Sequence, residues 1–286
     1  MRNQSFIKEC SKWIFVVGAL FILFSNIVYG QKSLKREFRG VWIASVANID
    51  WPSRPNLVPE SQREEYRNIL NHHQKNGINA VIVQVRPSAD AFYKSDLEPW
   101  SEWLTGEKGK NPEPEYDPLT FMVEEAHERG MEFHAWLNPY RAIFDVKKFY
   151  EDTAHIHLDT LKNLIYDLTN SDSLNFNEQL SKKDYDDLLR LLGVDTTLLI
   201  YRHPDWFLQY GNKIYFDPGN PEVQTHIAKV VKDIVTRYDV DAIHMDDYFY
   251  PYKIAGVEFP DSLSFRKYGS TYAPDLKDFW RRENVN

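Results

Sequence analysis

One cysteine, Cys10, occurs in 286 residues, and it precedes the first apolar run. No intrachain disulfide can form, and the position is wrong for a lipid-bearing cysteine, which would follow such a run. Phosphate-cradling glycine patterns are missing as well: there is no Gly-x-Gly-x-x-Gly and no P-loop, which excludes the usual nucleotide motifs. There is no Gly-x-Ser-x-Gly elbow for a serine hydrolase and no His-Glu-x-x-His for a zinc hydrolase. No cofactor is expected. Clusters of Lys and Arg are absent too, and the formal net charge is −8, so nucleic acid is excluded as a partner and neutral or cationic ones fit better.

What is present begins with an N-terminal leader. Arg2, Lys8 and Lys12 precede the apolar run Trp13 to Phe24, and small Gly30 stands before Gln31. Residues 1–30 therefore read as a signal peptide, and the chain is expected to be secreted or periplasmic. The apolar stretch continues to Val28, which leaves an uncleaved anchor as the alternative. Cleavage would remove three cations and Glu9, leaving a net charge of −10 and no cysteine. No stable membrane insertion is expected once the leader is gone.

From residue 37 a strand–loop–helix beat sets in. Residues 37–46 read as a first strand, apolar on both faces, and Ser61 with Glu64 reads as a capping box opening a helix that Gly77 closes. Residues 78–85 read as the second strand. Asp117 caps the next helix with Pro118 at its first turn, and Gly130 ends it. Residues 131–137 read as the third strand. About 145–209 departs from the beat, charged and helical in pattern around 158–168 and 183–192, and reads as an inserted lid or cap. Asn220 and Pro221 then start a helix whose apolar stripe is Val223, Ile227, Val230, Val231, Ile234, Val235 and Tyr238. The fourth strand runs from Val240.

Repeated units with polar residues at each strand's C-terminal end predict an α/β fold of parallel strands, of TIM (β/α)8-barrel type, with the site at that end. Only about the first half, four βα units, is expected in residues 31–286, with the helical insertion after strand three. Such a half-barrel leaves strand edges unpaired and barrel interior exposed, through which the chain is expected to self-associate.

The chemistry concentrates where the fourth strand runs into Asp246-Asp247-Tyr248-Phe249-Tyr250-Pro251. Strand neighbours point to opposite faces, so one carboxylate faces the barrel axis while the other caps a turn. Asp246 shares its face with His244 and Ala242, which favours it over Asp247. Paired carboxylates among flat rings suit glycoside hydrolysis, in which one carboxyl acts as nucleophile or base and a second as acid. Asp50, Asp90 and Asp217 also stand near strand ends or in loops. Arg86, with Asp90, reads either as an orienting cation or as a structural ion pair. His134, Trp136 and Asn138 alternate along one face of the third strand. Trp51, Trp100, Tyr140, Tyr248 and Tyr250 read as sugar platforms or as ordinary packing. A metal set of His134, His244, Asp246 and Asp247 is the weakest reading, since no metal-binding spacing supports it.

The blocks Arg39-Gly40-Val41-Trp42-Ile43-Ala44, Asn48-Ile49-Asp50-Trp51-Pro52, Val83 to Ala91, His134 to Arg141, Tyr215 to Gly219 and Ile243 to Pro251 resemble glycoside-hydrolase-like family 10. This is a family of secreted bacterial (β/α)8-barrel proteins related in fold to the alpha-amylase group. The resemblance spans about residues 37–284. It implies a glycosidase of bacterial envelope or extracellular glycans, with peptidoglycan strands as one substrate. In the alpha-amylase group the nucleophile is an Asp ending the fourth strand, two residues after a basic one. His244-Met245-Asp246 matches that spacing. The group's general acid, a Glu ending the fifth strand, has no counterpart among the strands read here, so an inactive fragment is a second expectation. A non-catalytic glycan-binding protein and a metal-dependent hydrolase remain as alternatives.

Overall fold

The computed structural model describes residues 37–151, 157–170, 182–191, 198–246, 249–269, 271 and 274–283. The leader expected at residues 1–30 lies outside them. Contacts divide the chain between Arg39 and Gly40, and the architecture is that of the second unit.

Four strands, β1 (Gly40–Ile43), β2 (Ala80–Arg86), β3 (Glu132–Leu137) and the last strand, β7 (Ala242–Met245), form one parallel sheet in the order β1-β2-β3-β7. Three helices cover one face: α1 (Pro59–Lys75) after β1, α2 (Pro118–Glu128) after β2, and a long helix, Pro221–Arg237, before β7. The α/β class and the four parallel strands agree with the sequence.

Side-chain parity decides the two faces. Ile43, Val81, Val83, Val85, Phe133, Ala135 and Leu137 point to the helices and pack on Tyr66, Leu70, Met122, Val230 and Ile234. Burying each such aliphatic or aromatic side chain contributes about 1.5–3 kcal/mol. The opposite parity carries Trp42, His134, Trp136 and His244, none of them fully buried. Strand β1 is apolar on both faces as expected, but its exposure alternates, with Trp42 62% exposed.

Two helix boundaries also differ from the sequence reading. Helix α1 begins at Pro59, two residues before the expected capping box, and Val58 at its N-cap makes no side-chain bond. Proline's fixed φ suits the first helical position, where its missing N–H costs nothing, so it overrides the Ser61–Glu64 pattern. By contrast Asp117 caps α2 through the backbone N–H groups of Leu119 and Thr120, as read. On the long helix, Val223, Ile227, Val230 and Ile234 are buried while Val235 is half exposed. The stripe is narrower than the sequence suggested.

The segment after β3 is not purely helical. Strand β4 (Arg141–Ile143) pairs antiparallel with β6 (Lys213–Phe216), which in turn pairs antiparallel with β5 (Phe207–Tyr210). Between β4 and β5 come α3 (Val146–Glu151), α4 (Leu158–Asn170) and α5 (Lys182–Leu191); α4 and α5 match the expected helical stretches, and α3 adds to them. The sheet was hidden because its strands are three or four residues long. Its one local signal is the β5–β6 turn, Gly211-Asn212 between alternating aromatics, where Gly211 takes φ +60°. The long helix, now α6, joins the two halves: Val230 and Ile234 pack on the parallel sheet, and Val223 and Ile227 pack on Ile214 and Phe216 of the antiparallel one.

Among the described residues β1 and β7 each pair on one side only. Edge N–H and C=O groups beside an uncovered face form a template for association. The expected result is a concentration-dependent mass in light scattering, reduced by Trp42→Lys on the uncovered face. A monomer at all concentrations would contradict it.

Candidate active site

The C-terminal ends of β3 and β7 bring three groups together. Strand β3 pairs with β7 so that Trp136 lies beside His244, and two residues further on Asn138 lies beside Asp246. The Asn138 amide donates from Nδ2 to both Asp246 oxygens, at 3.1 and 3.0 Å, and Trp136 Nε1 donates to Oδ2 at 3.2 Å. Sequence parity thus placed Trp136, Asn138, His244 and Asp246 correctly on one face. Asp247 and Tyr248 lie outside the described residues.

The Asn138 side chain is itself held. It is fully buried, and its Oδ1 accepts the Arg141 backbone N–H at 2.7 Å, which fixes its NH₂ toward Asp246. Beneath it, Arg86 Nη1 donates to the backbone carbonyls of Asn138 at 2.5 Å and Pro139 at 3.1 Å. The rest of the Arg86 guanidinium makes a bidentate pair with Glu98, Nε to Oε2 at 2.6 Å and Nη2 to Oε1 at 2.5 Å. His226 Nε2, from α6, meets Glu98 Oε1 at 2.9 Å. Burial pushes the Glu98 carboxyl up, but Arg86 and His226 more than offset this and hold it at about 2.

Arg86 was expected to be an orienting cation or an ion-pair partner, and it proves to be the second. With no exposed surface, it supports Asn138 from below. Its partner is Glu98, not Asp90. Asp90, also fully buried, takes the Ser88 backbone N–H on Oδ1 at 2.9 Å and has Lys108 Nζ 3.7 Å from Oδ2. It builds the turn after β2. Burial raises its carboxyl, opposed by Lys108.

Nor does Trp51 offer a platform. It is 1% exposed, packs against Tyr66 and Phe92, and donates from Nε1 to the Gln62 carbonyl at 2.8 Å. Tyr140 is buried against Phe249. His134 stands one turn of the pleat below Trp136 and meets Glu132 at 3.1 Å.

A different ring, Trp42, is the exposed one. Trp42, Trp136 and His244 form a trio with centroids 5.8–6.4 Å apart. Burial lowers the His244 imidazole's pKa, opposed by Asp246, which favours a neutral ring beside the carboxylate. The sequence reading did not single out Trp42, which stands beside Trp136 and His244. Its parity on β1, the same as that of Trp136 on β3, was the signal available. Glu98 and His226 left no local signal, because a buried acid in a loop and a histidine on an apolar helix face look like many others.

Asp217 is buried, accepts from the Gly219 N–H at 2.9 Å and from Ser264 Oγ, and burial raises its carboxyl. Asp50 accepts the Ala44 N–H at 2.8 Å. Among the described residues no three His, Cys, Asp or Glu side chains converge in a way that could hold a metal ion, and no helix is long and apolar enough to cross a membrane.

Known proteins are similar to this chain over most of its length. The chain is 43% identical over 285 residues to glycosyl hydrolase YngK of Bacillus subtilis (strain 168), covering 98% of this chain and 47% of that protein. It is 36% identical over 257 residues to glycosyl hydrolase DigH of Escherichia coli (strain K12), covering 87% of this chain and 50% of that one. The chain therefore spans about half the length of the curated relatives it matches. Among solved structures, alpha-L-fucosidase isoenzyme 2 from Paenibacillus thiaminolyticus aligns over 87% of this chain and 28% of its own, at 15% identity and a TM-score of 0.41, a likeness too distant to add to the fold described above. The family model for glycosyl hydrolase-like 10 matches residues 37–286. The strand-end blocks that build the Asp246 site all fall within that match, and the chain belongs to the glycosyl hydrolase-like 10 family.

Proposed function

We propose that the chain carries the nucleophile side of an O-glycosyl hydrolase site, built on the first four strands of a (β/α)8-type barrel, with Asp246 attacking the anomeric carbon. The observation that carries this is the hold on Asp246. A carboxylate at a parallel strand's C-terminal end, oriented by the Asn138 amide and the Trp136 indole, has the fixed direction that a nucleophile needs. The general acid that glycoside hydrolysis also requires is not supplied by Asp90 or Asp217, both buried and engaged elsewhere.

The substrate in this reading is a polysaccharide of the bacterial envelope or its surroundings, reached through the export that the 1–30 leader implies. Turnover of peptidoglycan glycan strands and of α-glucans by the chain and by Asp246→Asn tests the assignment. Equal turnover by both would overturn it. Finding the chain in the cytoplasmic fraction with its leader intact would remove the export half.

A second reading, glycan binding without cleavage, is favoured by the exposed ring of Trp42 beside Trp136 and His244. Stacking a pyranose on such a ring resembles other aromatic packing, worth about 0.5–1.5 kcal/mol beyond area burial. Trp42→Ala is expected to weaken retention on insoluble glycan about three- to tenfold, with the melting temperature unchanged. Unaltered retention would remove Trp42 from the binding surface.

A further inference from the structure

A cavity of about 950 Å³ opens between α4, the turn Leu199–Arg202, and the helix α7 (Ser262–Tyr268) that follows β7. Its lining includes none of Trp136, Asn138, His244 or Asp246. The size lies in the range of ordinary ligand pockets. Tyr166 and Leu263, 66% and 72% exposed, stand among its lining residues, with Tyr185 and Leu208 half-buried.

Charge sets this cavity apart. In a chain of net charge −8, it gathers Lys162, Arg202, Arg266 and Lys267 against Asp205 and Asp217. Asp217 is committed to Gly219 and Ser264. Among the described residues Lys162, Arg202 and Arg266 have no ion-pair partner. Lys162 is the most telling, because its side chain is partly buried, with one hydrogen bond, to the Phe207 carbonyl at 2.7 Å. Taking an ammonium partly out of water without a carboxylate in ion-pair contact is costly; burial lowers its pKa, opposed by the charges of Asp159, Asp205 and Asp217. An anion entering the cavity would offset that cost. Lys267 lies over the Tyr268 ring at 4.9 Å, a cation beside a flat apolar surface.

We propose that this cavity binds an acidic oligosaccharide, its sugar carboxylate held by Lys162, Arg202 and Arg266 and its pyranose faces lying on the tyrosines. The saccharide half of this assignment rests on the glycan reading above, and the anionic half rests on the cavity alone. Guanidinium groups suit carboxylates because their paired N–H groups match the two oxygens. A simple phosphate would use the cations but leave the rings without a role.

The test is calorimetric titration of the full chain carrying Asp246→Asn with an oligogalacturonate, against a neutral maltooligosaccharide of the same length and against inorganic phosphate. The acidic glycan is expected to bind at least about tenfold more tightly than either control. Arg202→Gln and Arg266→Gln, both at exposed positions, should each weaken it about tenfold, the lower end of what a charge-assisted hydrogen bond contributes. Rising salt should weaken it further. Equal affinity for the neutral glycan, tighter binding of phosphate, indifference to both Arg substitutions, or no binding of the oligogalacturonate each overturns the proposal. If oligogalacturonate fails to bind while the unsubstituted chain cleaves a neutral glycan, the hydrolase reading stands and this one falls. Retained oligogalacturonate binding in a chain without turnover separates them the other way.

Discussion

Asp246→Asn is expected to lower turnover of a glycan substrate by about 10³-fold or more while leaving the fold intact. The size follows from the role: an amide cannot form the glycosyl ester, and loss of a catalytic group acting as part of a unit costs on the order of 10³–10⁶ in rate. The small structural effect follows from the surroundings. Asp246 accepts from Trp136 Nε1 and from Asn138 Nδ2, and an asparagine there keeps one oxygen to accept with. One donor loses its partner at a half-buried position, which costs about 1–2 kcal/mol. Turnover and urea midpoint measured on the same preparation separate the two effects. A loss of activity that tracks a collapse in stability would make Asp246 a structural residue. So would wild-type turnover by the variant.

The companion substitution Asn138→Ala sharpens this. It removes the amide that reaches both carboxylate oxygens. Asp246 would keep its charge and lose its direction, so kcat should fall while KM moves little. A change confined to KM would mean that Asn138 contacts substrate instead of positioning the carboxylate.

How much of this was legible beforehand depends on the range of each interaction. Parity is local, so the alternation of His134, Trp136 and Asn138, and of His244 and Asp246, could be read directly from sequence. Helix α2 was equally legible, because Asp117, Pro118 and Gly130 each act within a turn of their own position. The capping box at Ser61 failed for a comparable reason: two local signals competed and proline, two residues earlier, won. Register between strands is not local. Nothing near Trp42 in sequence says that it will stand beside Trp136 and His244, and nothing near Glu98 says that Arg86 and His226, 128 residues further along, will close on it. The antiparallel sheet was missed because strands of three or four residues, with helices between β4 and β5, offer too little periodicity to count. Trp51 was misjudged because aromatic side chains serve cores and sugar platforms alike, and only burial tells them apart.

The largest stability effect is expected at Glu98. Its carboxylate is fully buried and lies between the Arg86 guanidinium and the His226 ring. Glu98→Gln leaves the Arg86 charge buried without an anion, and breaking a buried pair from one side costs about 3–5 kcal/mol. The pH dependence carries the same signature. The carboxyl is held at about 2 in the folded chain against 4.5 for the free group, so its stabilising contribution is fully present above about pH 4.5 and is lost as the pH falls toward 2. That shift corresponds to about 3 kcal/mol. Other carboxylates titrate over the same window, Glu125 between Arg67 and Arg129 among them, so the difference between wild type and variant is the informative quantity. The wild type should lose stability more steeply than Glu98→Gln between pH 4.5 and 2, and the two should converge at the acid end. Parallel curves would show that the folded chain does not hold the Glu98 carboxyl below its free value. The double change Arg86→Met with Glu98→Leu removes both charges and should recover part of the loss. It still leaves the Asn138 and Pro139 carbonyls without the Arg86 donor. Recovered stability with unrecovered kcat would therefore show that the buried pair serves the site through Asn138 and not the fold alone.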